Sequence, residues 1–134
     1  MNMAESLIYN RVLTRAKSAI RDNDRLRELL IGVGEKLVNV GDDTSESKSF
    51  VKLIKMLIRM VSSHISGAYR AFSPLTLLMT VFSLVYFITP LDLIPDFIPA
   101  LGFTDDLAVT VMIMKRFTED IDKYRDWEQS QLSQ

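Results

Sequence analysis

The sequence predicts an all-α fold: a single helical bundle of about five helices, with a proline- and aspartate-rich loop before the last one. Three observations carry that expectation. Apolar residues recur at spacings of three and four through three successive segments before residue 71. From Ala71 to Leu91 there are 21 residues without a charge, with Ser73-Pro74 near the start and Thr89-Pro90 near the end. Beyond a loop containing three prolines, the three-four spacing resumes to Tyr124.

The first helix is expected from Met3 to Ile20, with Ile8, Val12, Ala16, Ala19 and Ile20 inward and Arg11, Arg15, Lys17 and Arg21 elsewhere around the wheel. Asp24 is the expected cap of a second helix carrying Leu26, Leu29, Leu30, Val33, Leu37 and Val40, which Gly41 and the polar residues after it should end. Gly32 and Gly34 should weaken that helix or admit a close neighbour. A third helix is expected over Glu46 to Ala71. Phe50, Leu53, Ile54, Leu57, Ile58, Val61, Ile65 and Ala68 face inward, and Lys48, Lys52, Lys55, Arg59 and Arg70 outward.

The fourth segment differs in kind, because Leu75 to Ile88 is apolar all around the wheel and so must be buried on every side. Ser73 can cap it, Pro74 suits the first helical position, and Thr89 should stop it because a residue before proline avoids the helical region. Such a helix of roughly 15 residues is about 22 Å long. A hydrocarbon core of about 30 Å is too thick for it alone. Thr104 is the expected cap of the last helix, through Leu107, Val111, Met114, Phe117, Ile121 and Tyr124. Its first half should be buried and its second half wet, with a frayed tail from Glu128 to Gln134.

The 134 residues suit one domain, 1–134, and a hydrophobic share of 48% against 25% charged excludes a disordered chain. The net charge of -1, without a like-charge run, lacks the footprint of a nucleic-acid binder, so no nucleic acid is expected as a partner. Residues 1–70 hold 12 Lys/Arg against 8 Asp/Glu and residues 71–134 hold 4 against 9, a split that lets one half pack on the other. There is no cysteine, hence no disulfide, thiolate nucleophile or Cys-bound metal. The opening residues lack the pattern of a signal peptide, which makes the cytoplasm the expected location.

Residues 86–106 concentrate three prolines and four aspartates in otherwise apolar sequence. Pro90, Asp92, Leu93, Ile94, Pro95, Asp96, Ile98, Pro99, Gly102, Asp105 and Asp106 give this stretch a strong likeness to the YkvA-like family, a domain of unknown function in small bacterial proteins. The resemblance implies a helical core, here residues 71–116, with the amphipathic helices of 1–70 outside the shared motif. It also implies membrane association and supplies no established activity.

The candidate site residues are therefore Pro90, Asp92, Pro95, Asp96, Pro99, Gly102, Asp105 and Asp106, with no catalytic residue among them. Each aspartate has a structural explanation. Asp92 can fill the acidic place of a capping-box-like turn begun by Thr89; Asp105 and Asp106 suit the first turn of the last helix; Asp96 can accept freed backbone N–H groups or pair with Arg59, Arg70 or Arg116. The sharper alternative is that Asp92, Asp96, Asp105 and Asp106 converge on a hard divalent cation, Mg2+ or Mn2+, in a metal-dependent enzyme acting on a phosphate-type substrate. The sequence favours no cofactor. His64, the one histidine, sits near the edge of an apolar stripe as an ordinary packed or surface residue rather than a base.

Two non-catalytic readings remain open. In one, residues 71–91 and 104–114 form an apolar hairpin at or in the membrane, with Arg70, Lys115 and Arg116 on the cytoplasmic side. In the other, the segment 74–88 is a core helix wrapped by the amphipathic ones, and the chain binds a protein partner or a second copy of itself.

Overall fold

The computed structural model describes residues 3–40, 44–89 and 107–132. Among them are five α-helices and no strand: α1 Met3–Ile20, α2 Asn23–Val38, α3 Ser45–Ser66, α4 Pro74–Ile88 and α5 Leu107–Leu132. The all-α expectation holds. The architecture is a central helix, α4, that touches each of the other four, with α1 beside α2 and α2 beside α3.

The composition of α4 explains its place. Its buried residues, Thr76, Leu77, Met79, Thr80, Val81, Phe82, Leu84 and Val85, cover every direction around the helix at 100° per residue. A helix of this kind has no face to give to water. Three hydroxyls in it and at its end are satisfied by the helix backbone: Thr80 donates to the Thr76 carbonyl at 2.8 Å, Ser83 to Met79 at 2.8 Å and Thr89 to Val85 at 2.7 Å. Bonds of this kind let hydroxyl groups sit in an apolar interior without an orphaned donor. Ser73 accepts the Thr76 N–H at 3.2 Å as N-cap, Pro74 follows it, and Thr89 ends the helix in extended backbone, all as the sequence predicts.

Around α4 the amphipathic helices contribute one stripe each: Val12, Ala16 and Ala19 from α1, Leu26, Leu29 and Val33 from α2, and Ile54, Leu57 and Val61 from α3. Each fully buried Val, Leu or Ile among them stabilises the fold by about 1.5–3 kcal/mol relative to exposure. Gly32 looks toward Ile88 of α4, whose Cδ1 would lie an ordinary 4.0 Å from an added Cβ, while the same position on Gly34 meets nothing.

Several boundaries depart from expectation for identifiable reasons. The cap of α2 is Asp22, which accepts the Asp24 N–H at 2.9 Å, and not Asp24. Thr44 caps α3 by accepting the Ser47 N–H at 3.0 Å, so the helix starts at Ser45. It ends at Ser66 rather than Ala71, because Gly67 takes the left-handed conformation, φ 83°, and its N–H returns to the His64 carbonyl. Ala68 is consequently outside the helix and exposed. The Gly67→Ala variant is expected to lose about 1 kcal/mol in chemical denaturation, since an L side chain in that conformation is strained even though its Cβ would meet only Arg70 Nε at an ordinary 3.7 Å.

The last helix is the main correction. Met112 and Met114 are 69% and 41% exposed, whereas the buried residues Asp120 and Tyr124 and the half-buried Phe117, Ile121 and Trp127 lie in the part expected to be wet. The helix also runs to Leu132 instead of fraying from Glu128. The reason is that α5 packs its later turns against the start of α4 and the side of α3.

Candidate functional site

The eight motif residues named from the sequence, Pro90, Asp92, Pro95, Asp96, Pro99, Gly102, Asp105 and Asp106, lie outside the described residues, as does the Thr104 cap. The described structure places their two neighbours: α4 delivers the chain to Thr89, and α5 takes it up at Leu107. Two of the three arginines considered as partners of Asp96 have other engagements. Arg59 holds Glu128 through Nε at 2.9 Å, and Arg116 Nε lies 3.6 Å from Asp120.

At the opposite end of α4 the structure builds a polar cluster that is not among the residues named from the sequence. Asp120 of α5 is only 2% exposed, and its Oδ2 accepts the Ser73 N–H at 2.9 Å. Burial alone would raise this carboxyl. The Ser73 N–H, the hydroxyls of Thr76 and Ser73, and the Arg116 guanidinium outweigh burial and hold it below the ordinary carboxylate value. The anion also sits at the N-terminus of α4, where the helix dipole favours negative charge. Asp120 therefore caps α4 from another helix. The available sequence signal was its position in the stripe Phe117, Asp120, Ile121 and Tyr124, where a charge interrupts the apolar spacing.

An aromatic cluster covers this acid. Tyr69, Phe72, Tyr124 and Trp127 stand with ring centroids 4.7–5.6 Å apart in tilted, edge and stacked pairs. Tyr124 is 1% exposed and its hydroxyl pairs with Ser63 Oγ at 2.8 Å. Burial pushes both Tyr124 and Tyr69 up from the ordinary phenol value, with the Asp120 charge adding to the effect on Tyr69. His64 is lowered by burial and by the nearby Arg70, and its Nδ1 has no hydrogen-bond partner among the described residues. A neutral imidazole, lowered by burial, fits the ordinary packed or surface histidine expected from the sequence.

Open clefts mark the described surface. One, of about 680 Å3 between α1 and α2, is lined by Arg11, Arg15, Arg25 and Glu28 over Leu29 and Val85. The other, of about 400 Å3, lies between α3 and α5. Among the described residues no three His, Asp or Glu side chains come together as a metal site, and the four motif aspartates are not among those residues. No described helix is long and apolar enough to cross a membrane.

Comparison with known proteins follows the same segment. The family described as "Protein of unknown function (DUF1232)" matches residues 76–112, from the first turn of α4 into α5. The "Uncharacterized membrane protein YkvA" of Bacillus subtilis (strain 168) is 32% identical over 80 residues, which cover 60% of this chain and 76% of that protein. No solved structure matches. With that identity across three quarters of the relative, and with the family segment spanning α4 and the start of α5, this chain belongs to the YkvA-like family of proteins of unknown function.

Proposed function

We propose that the chain is one non-catalytic helical domain, residues 1–134, that associates with the cytoplasmic face of a membrane and acts there by binding. The observation that carries this reading is the enclosure of α4. The segment apolar enough to suggest a membrane anchor is buried by α1, α2, α3 and α5, while a relative carries the name of a membrane protein. If α4 serves as the core, attachment falls to the outer surface of the bundle, by lipid or by a protein partner. Membrane retention then requires no crossing helix.

Fractionation of cells expressing the full chain tests this. The chain is expected to pellet with membranes at low salt and to be released by alkaline carbonate. Retention through carbonate would replace surface attachment by an inserted hairpin of residues 71–91 and 104–114. A chain wholly in the soluble fraction at low salt would overturn membrane association altogether.

A further inference from the structure

We propose that the exposed edge of α3 formed by Lys48, Lys52, Lys55 and Arg59 is the surface on which this chain lies against an anionic lipid bilayer; the proposal rests on the membrane-associated reading above. The spacing of four, three and four puts these residues in a strip about 60° wide and about 16 Å long. All four are exposed. Lys48, Lys52 and Lys55 make no ion pair among the described residues, whereas Arg59 is held by Glu128. The one carboxylate within α3, Glu46, stands nearly opposite the strip by the helical step.

The strip has a second component. Beside it runs the groove between α3 and α5, where Lys52, Lys55, Arg59 and Arg125 stand over Leu53 and Met56. Leu53, expected from the sequence to face the core, is 45% exposed. Cations with an exposed leucine beside them combine electrostatic attraction with an apolar group that can enter the headgroup layer.

The geometry favours a plane of charge over a single anion. A phosphate site needs donors that converge, and these ammonium groups are strung along a line. Lysine also acts as a hydrated point charge that responds to a field, where arginine would read a fixed anion geometry by its fork. A bilayer containing anionic headgroups supplies such a field, worth about fivefold in binding for each basic residue near the surface.

The test uses the purified full chain in sedimentation with vesicles of phosphatidylcholine alone or of phosphatidylcholine with roughly one part in three phosphatidylglycerol. Binding is expected only to the anionic vesicles and should weaken with salt. The triple variant Lys48→Gln, Lys52→Gln, Lys55→Gln should bind on the order of a hundredfold more weakly while keeping the parent melting temperature, because all three side chains are exposed and unpaired. A matched variant on α1, Arg11→Gln, Arg15→Gln, Lys17→Gln, should lose only a few-fold. Unchanged binding by the α3 triple, or an equal loss from the α1 triple, overturns the proposal. A chain that pellets with cell membranes but ignores anionic vesicles overturns it too, and leaves membrane association standing through a protein. Absence from both cell membranes and vesicles removes the two readings together.

Discussion

Leu84→Lys is expected to leave no folded protein in detergent-free buffer, the largest effect of any single change considered for this chain. Leu84 is fully buried at the middle of α4, the helix that every other helix contacts. The substitution forfeits about 1.5–3 kcal/mol of apolar burial. It also places an ammonium group in the apolar core, and effective desolvation of such an ion costs several kcal/mol more. A domain of ordinary stability, about 5–15 kcal/mol, has little left after that sum. Far-ultraviolet circular dichroism and gel filtration should show lost helicity and aggregation. The control is Leu84→Met, a near volume-conserving change expected to cost less than about 1.5 kcal/mol and to leave the fold intact. A stable Leu84→Lys protein would mean that this side of α4 meets water or headgroups instead of the bundle, and the enclosure on which surface attachment rests would be lost with it.

How much of this was legible in the sequence depends on what determined each feature. Local chemistry wrote the ends of α4, because Ser73, Pro74 and the Thr89-Pro90 step act within one turn of the chain. Periodicity wrote the inward stripes of α1, α2 and α3, since a helix with one apolar face has one way to bury it. The stop of α3 was also local, in Gly67, but it was hidden by apolar residues that continue the spacing past it. Met56 and Met60, buried on the flank of α3, and the exposed Leu53 depend on where α5 lies, which no spacing within α3 encodes. The same holds for Asp120. Its burial is a contact across 47 residues of sequence, and only the docking of α5 on the start of α4 turns a helix-surface residue type into an interior one. Membership in the YkvA-like family was readable in the proline-aspartate stretch itself, although those residues lie outside the described structure.

Asp120→Ala is expected to destabilise the chain by about 2–4 kcal/mol, because it removes a buried anion while leaving the Ser73 N–H and the Arg116 guanidinium without their acceptor. The effect reaches beyond one bond. Asp120 ties α5 to the first turn of α4, and the cluster of Tyr69, Phe72, Tyr124 and Trp127 is built over that tie. The Asp120→Asn variant keeps the shape and one acceptor, so its loss should be smaller and should isolate the charge. The pH dependence has a definite sign. Because the folded carboxyl titrates below its unfolded value of about 3.9, the stability it contributes is fully present above that value and is lost as pH falls through the folded one. Urea denaturation should therefore show the full difference between the parent and Asp120→Asn at about pH 7 and a shrinking difference toward about pH 3. A gap that stays constant over that range would show that the carboxylate's charge adds nothing and that shape alone holds α5 in place. Since α5 also carries Glu128, the partner of Arg59, loosening it should free that arginine to join the lysines of α3. If the α3 strip is the lipid-facing surface, Asp120→Asn should then bind anionic vesicles no more weakly than the parent even as it becomes less stable.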